Sequence, residues 1–172
     1  ALYGFFVYDE PGANDFAGLA RIVAAIKRLA PGKIAYLNLF PNYATMGGDE
    51  SQLQTATYEE HLERFVAEVQ PPFLSYDNYM VQYGQDLRDK DKTALYYTNL
   101  LQMREVAQRH DLPWWHIVGS NRIFDYSWPP SPASLLFQAY TTLAAGAGSL
   151  GWFTYYGSEE YGRSSAIDAA EN

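Results

Sequence analysis

Cysteine is absent from the 172 residues, which excludes disulfides, thiolate metal sites and a cysteine nucleophile. Cations are scarce: 12 Lys and Arg stand against 20 Asp and Glu, a formal net charge of −8. A surface this acidic repels phosphate backbones and anionic lipid, and no basic block offsets it. Neither nucleic acid nor a membrane surface is therefore an expected partner. No apolar run approaches the roughly 18 residues of a membrane span, and the amino terminus shows no basic segment with a signal-type cleavage site. The chain begins at Ala1 directly in a strand-like run, the pattern expected of a processed or cut start. What is abundant is aromatic. There are 15 Tyr, 9 Phe and 4 Trp, 16% of a chain long enough for one domain with a core of its own.

The apolar residues alternate between two periods. Leu2–Tyr8 is a short continuous apolar run, the pattern of a strand buried on both faces. After Asp9-Glu10-Pro11-Gly12, helical spacing of Phe16, Leu19, Ile22, Val23 and Ile26 predicts a helix over about Asn14–Leu29. Asn14 or Asp15 is its expected cap and Pro31-Gly32 its stop. Ile34–Phe40 reads as a second strand, followed by a polar loop over Tyr43–Gln54. Thr57 caps a helix at Tyr58–Val69, with Glu60 completing a capping box. A third strand at Phe73–Tyr76 leads into a Tyr/Asn/Asp-rich loop. A long helix at Thr93–His110, a strand at Trp114–Val118, a helix from Ser131-Pro132 to Ala145 and a strand at Leu150–Tyr155 follow. Five strands separated by helices, without hairpin signals, imply parallel βα units over residues 1–157, with a polar tail at 158–172. Two architectures fit: a partial, half-type TIM barrel of five parallel strands, or a flavodoxin-like open parallel sheet. A closed eight-stranded barrel takes roughly 250 residues, more than this chain holds.

In parallel α/β folds the chemistry gathers at the carboxyl ends of the strands. Every strand exit here is polar or aromatic: Tyr8-Asp9-Glu10, Asn38 with Asn42-Tyr43, Tyr76-Asp77-Asn78-Tyr79, Gly119-Ser120-Asn121 and Tyr155-Tyr156. The links at the opposite ends are short and chemically plain. A rim of acids, amides and aromatic rings suits carbohydrate, because rings pack on sugar faces while carboxylates and amides bond hydroxyls. By strict alternation Glu10 shares a face with Phe6 and Tyr8, and Asp9 shares the other with Phe5 and Val7. A carboxyl leaving a strand among aromatics is partly desolvated, which fits it for general acid catalysis.

Taken in order, GFFVYDEP, IAYLNLFPNY, FLSYDNY, PWWHIV and QAYTTLAAGAGSLGWFTYYG resemble the second half of a (β/α)8-barrel glycoside hydrolase. The likeness is to the large clan with catalytic carboxylates on barrel strands four and seven, and it spans nearly the whole chain. Asp-Glu-Pro alone is unspecific; the ordered series gives the resemblance its weight. It implies that the five strands correspond to barrel strands four to eight, with Glu10 as general acid/base. Asp9 stands where the clan has Asn. The clan's nucleophile belongs near the end of Trp114–Val118, where this chain has Gly119-Ser120-Asn121-Arg122 and no acid before Asp125. Asp77 is then the best second carboxylate, with Asp125, Glu159 and Glu160 as weaker candidates. Asp9, Asn38, Tyr79, His116, Trp152 and Tyr155 are the expected sugar-binding residues.

Other patterns carry less. Gly146–Gly151 spells GxGxxG, but a helix precedes it and a strand follows, the reverse of a dinucleotide site. His61, His110 and His116 form no HxH or HxxxH pair, so neither a metal nor a cofactor is expected. Two further functions remain open: a non-catalytic carbohydrate-binding or structural barrel fragment, and an ester hydrolase drawn from Ser75 or Ser120 with His116 and Asp77. A partial barrel also exposes strand edges and an apolar face. A homodimer or higher homo-oligomer covering those edges is the expected assembly.

Overall fold

Proline and glycine pairs divide the chain into segments too short to be anything but alternating strands and helices, and a computed structural model shows that alternation. It describes residues 2–83, 90–122 and 130–154. Five strands, β1 (Gly4–Asp9), β2 (Ile34–Asn38), β3 (Leu74–Asp77), β4 (Trp114–Gly119) and β5 (Ser149–Phe153), alternate with helices. The helices are α1 (Phe16–Leu29), α2 (Tyr58–Val69), α3 (Met80–Tyr83), α4 (Lys90–Arg109) and α5 (Pro132–Ala144). Among the described residues no helix is long and apolar enough to cross a membrane. The expected tail at 158–172 lies outside the described residues.

The strands form two parallel sheets, β1-β2 and β3-β4-β5. A parallel bridge joins Leu39, just past β2, to Tyr76 of β3, with Leu39 N donating to Ser75 O at 2.8 Å. A flavodoxin-like sheet would set β1 between β2 and β3. Here β3 follows β2, so that alternative is corrected in favour of sequential barrel-type order.

The chain divides into two compact units, Ala1–Tyr76 with Gln102–Trp114, and Asp77–Leu101 with Trp115–Asn172. In the first, Phe16, Leu53, Leu62, Phe65, Leu74 and Met103 are fully buried. The Phe16 and Phe65 rings meet edge to face at 5.4 Å. Helix α2 has the bounds its caps imply. Thr57 Oγ1 accepts from Glu60 N at 3.1 Å, but the Glu60 carboxylate reaches past the cap to accept from Ala56 N at 2.9 Å. Helix α2 and the end of α4 are tied at Glu63, which forms an ion pair with Arg109 and a hydrogen bond with His110 Nε2. In the second unit, Tyr96 and His116 pack among α4, β4 and α5. Ser131 and Ser134 form a reciprocal capping box that starts α5.

Three expectations are revised. Strand β1 is not buried on both faces: Phe5, Phe6 and Tyr8 are 38%, 62% and 45% exposed, because among the described residues β1 pairs only with β2. Neither Asn14 nor Asp15 caps α1. Residues Ala13–Asp15 form a 3-10 turn, and Asp15 makes no side-chain cap bond. The Tyr/Asn/Asp-rich segment after β3 contains the short helix α3, whose Met80 N is held by Asn78 Oδ1 at 2.9 Å.

Removing the buried Phe65 ring deletes its contact with Phe16 and leaves a void in the core. Phe65→Ala is expected to lower unfolding stability by about 3–5 kcal/mol. Thr57→Ala, which removes only a cap, should cost about 1 kcal/mol. Urea melts of both variants against wild type check the magnitudes and their order.

Candidate functional site

In the first unit, the site is shaped by one irregularity in β1. The register runs Phe6↔Tyr36 and then Tyr8↔Leu37, so Val7 is an extra residue, and Asp9 pairs with Asn38. An added residue reverses the facing of everything after it. Phe6 and Asp9 therefore share the face of Tyr36 and Asn38, while Phe5 and Tyr8 turn toward α1. This corrects the strict alternation, which put Asp9 with Phe5.

On that face the residues form two rows. The rings of Phe6, Tyr36 and Phe73 make the first, at centroid spacings of 5.3 and 5.6 Å. The second row, one step closer to the carboxyl ends, is polar. Asn38 Nδ2 donates to Asp9 Oδ1 at 3.1 Å, and Ser75 Oγ donates to Asn38 Oδ1 at 3.0 Å. The Ser75 hydroxyl also lies 3.2 Å from that of Tyr36. Asn38 and Ser75 are buried while Asp9 is exposed, so the row runs from core to solvent and ends on a carboxylate.

Glu10 follows at φ +50°, a left-handed conformation that costs a non-glycine residue roughly 1–2 kcal/mol. Its N–H donates to Asn38 O at 2.8 Å, which holds the turn. Beyond it, Gly12 is packed so closely that a Cβ would collide with Gln54 Oε1. Ala13 N donates to Leu53 O and Asn14 N to Gln54 Oε1. The Tyr43–Gln54 loop thus clamps the exit of β1 and leaves Glu10 half-buried beside the polar row.

The second unit holds the other expected residues. Asp77 ends β3 and is buried; alternation along β3 sets it on the strand face of Ser75. Asn78, also buried, donates from Nδ2 to Asn99 Oδ1 at 2.9 Å. The half-buried Tyr79 ring packs 5.8 Å from that of Phe153. His116 and Trp152 lie elsewhere. His116 is fully buried, and its Nδ1 meets Thr142 Oγ1 of α5 at 2.7 Å, so it belongs to the strand–helix core and not to an interior rim. Trp152 pairs with Val118 on that same helix-facing side of the sheet and is 43% exposed. Tyr155, Asp125, Glu159 and Glu160 lie outside the described residues.

The end of β4 is built from backbone and amide. Gln138 Oε1 accepts from Gly119 N and its Nε2 donates to Gly119 O, while Ser120 Oγ donates to Thr154 O at 2.9 Å. Ser75 bonds to Asn38 and Tyr36 and Ser120 to Thr154 O, while His116 meets Thr142 in the core, so both serines serve strand ends. Among the described residues no cluster of three or more His, Asp or Glu could hold a metal ion. Gly146, at φ +94°, turns the end of α5 into β5, so the GxGxxG stretch is a helix exit. The sequence reading passed over Tyr36, the place of Ser75 in this polar row (Ser75 was named only as an ester-hydrolase candidate), Gln138 and Phe153. Alternation in IAYLN and FLSYD could have supplied the first two.

These features define a TIM-barrel-like α/β fold. No protein-family model and no curated protein matches the chain. Among solved structures it is similar to a Bacteroides thetaiotaomicron VPI-5482 protein provisionally named an alpha-L-fucosidase, with TM-score 0.61 and 14% identity. That match covers 98% of this chain and 53% of the other. It is also similar to HMG-CoA lyase from Brucella melitensis, with TM-score 0.52 and 14% identity over 82% of this chain and 43% of that one. The chain thus spans about half the length of each. Two such neighbours with different chemistry fix the fold and leave function to the residues.

Burial holds His116 well below the usual imidazole range, at about 3. Burial likewise lowers His61 to about 4, against an opposing bond to Leu53 O. Both are neutral in the native state, whereas the unfolded chain protonates them near 6.5. Below that value the unfolded state binds more protons, so stability falls as pH drops from 6.5 toward 4 and 3. His116→Gln should lose less stability than wild type between pH 7.5 and 5 in paired urea melts.

Proposed function

We propose that this chain is a glycoside-hydrolase-like partial barrel that binds or cleaves O-glycosides, with Glu10 as general acid/base. The observation that carries the reading is the Asp9–Asn38–Ser75 row opening onto a carboxylate beside Glu10. A sugar presents adjacent hydroxyls that both donate and accept, and an acid–amide array answers both roles. Asp9 and Asn38 would hold hydroxyls. Glu10, half-buried in a turn held by Asn38 O, has the placement at a strand exit that a proton donor needs. Asp77, buried at the end of β3, is proposed as the second carboxylate. The fucosidase name of the Bacteroides neighbour supports a glycosidase over other barrel chemistries, as does the ordered resemblance to the clan with carboxylates on strands four and seven.

A second reading has its own support. Retaining and inverting hydrolysis both use two flanking carboxyls, and the end of β4 supplies backbone, Gln138 and Ser120 where the clan has its nucleophile. A sugar-binding fragment without turnover follows from that bonding.

A panel of nitrophenyl glycosides, with the α-L-fucoside included, separates the two. Under the catalytic reading Glu10→Gln lowers kcat/KM by roughly 10²–10⁴-fold, while Asp9→Asn, which restores the clan's amide, retains most of the rate. Equal rates for Glu10→Gln and wild type remove Glu10 from the mechanism. Calorimetric sugar binding without any turnover establishes the binding fragment instead.

A further inference from the structure

Upstream, the Glu10 turn is anchored by Glu10 N donating to Asn38 O at 2.8 Å. Pro11 has no N–H to donate, and the next anchors, at Ala13 and Asn14, both belong to the Tyr43–Gln54 loop. Ala13 N donates to Leu53 O at 3.1 Å, and Asn14 N to Gln54 Oε1 at 2.8 Å. Where the loop presents those two oxygens therefore helps to set the place of a half-buried carboxyl a few residues away.

The two oxygens are held with unusual care for a surface loop. Its limbs are zipped: Gln52 N donates to Thr45 Oγ1 at 2.9 Å, Thr45 N to Gln52 Oε1 at 3.0 Å and Leu53 N to Thr45 O at 3.1 Å. Gln54 stands at φ +56°, a conformation unfavourable for a non-glycine residue. Its side-chain amide lies against Gly12, where a Cβ would collide. Leu53 O also has a second donor, His61 Nδ1 of α2, at 3.1 Å. A carbonyl only accepts, so the imidazole hydrogen is on Nδ1. His61 is fully buried, and its ring lies 5.1 Å from that of Phe16 in the α1–α2 core. A leucine would fill that helix face without desolvating two ring nitrogens. What the imidazole adds is the bond to Leu53 O, which joins the exit of β1 to the core.

We propose, resting on Glu10 as general acid/base, that Gln54 and His61 are its positioning residues. Through the loop they hold the Gly12–Asn14 segment, and with it the Glu10 carboxyl, at the end of β1. A proton donor has to sit within hydrogen-bond reach of the leaving oxygen, and a displacement of about 1 Å costs roughly 10²-fold in rate. Neither Gln54 nor His61 needs to touch the sugar for this.

Two pairs of variants separate the clamp from its surroundings. Gln54→Gly removes the accepting amide while suiting the positive φ, and Gln54→Glu keeps an accepting oxygen. His61→Leu removes the donor to Leu53 O, and His61→Asn returns an N–H near the place of Nδ1. Circular dichroism checks that each chain folds. By NMR-detected hydrogen exchange, Gln54→Gly should speed exchange at the Asn14 amide, and His61→Leu at the Ala13 amide, by about tenfold. Gln54→Glu and His61→Asn should stay near wild type. In hydrolysis, Gln54→Gly and His61→Leu should lower kcat by roughly 10–10²-fold with KM nearly unchanged, and the two conservative variants should restore it. The loss should be larger on phenyl glycosides, whose leaving oxygen needs a proton, than on dinitrophenyl glycosides, which leave without one. A general loosening of the fold would affect both alike.

An active wild type whose Gln54→Gly and His61→Leu variants keep its kcat overturns the proposal and leaves Glu10 in its role. A loss equal on both leaving groups overturns it as well. A wild type that turns over no glycoside removes the role of Glu10 and that of its positioning residues together; faster exchange at Asn14 in Gln54→Gly then leaves a structural clamp only. If His61→Leu does not fold, Gln54→Gly, confined to the loop, decides the outcome.

Discussion

Three strand ends meet at Asn38, and the arrangement of the first unit's polar face depends on that one side chain. Its carbonyl accepts from Glu10 N, its amide donates to Asp9, and its Oδ1 accepts from Ser75. A buried asparagine has no water to satisfy these groups, so each bond left unmade would cost about 1–3 kcal/mol. The requirement works in both directions. It fixes β1, β2 and the start of β3 in one register, and it turns the Asp9 carboxyl and the Glu10 backbone toward the strand ends. The strained φ of Glu10 is tolerated because the same asparagine holds its N–H.

The extra residue at Val7 couples this polar corner to the outside of the sheet. By reversing the facing after Phe6, it places Asp9 beside Asn38 and turns Tyr8, with Phe5, toward α1. One insertion thus furnishes both the solvent-facing acid of the candidate site and the aromatic pair that β1 presents to α1. Moving Val7 back into register would turn Asp9 toward α1 and leave Asn38 without its carboxylate.

Some of this was legible in the residues. Helix α2 could be bounded because Thr57 and Pro71-Pro72 are local signals acting through the backbone a few residues away. The five strands and their order of appearance followed from short apolar runs between proline and glycine. The exits of β1 to β4 carry the polar groups expected there, while Tyr155 and Tyr156 lie outside the described residues. The bulge was not legible, since nothing in GFFVYDE marks Val7 as surplus; it exists only against the spacing of IAYLN. His116 looked like a rim residue because alternation gives two faces without saying which one meets helices. The capping box at Ser131 was missed because Ser134 replaces the usual Glu or Gln.

The sequence by itself determined the α/β alternation, the absence of thiol chemistry, the acidic balance and the concentration of amides, acids and aromatics at strand exits. These are properties of local composition and period, which act within a few residues. Only the tertiary structure decided that β1 is an exposed strand, that Asp9 and not Glu10 shares the face of Asn38 and Ser75, and that His116 serves the core. Those outcomes depend on strand pairing and on which face receives the helices, and both are set by residues 20 to 40 positions away in the chain.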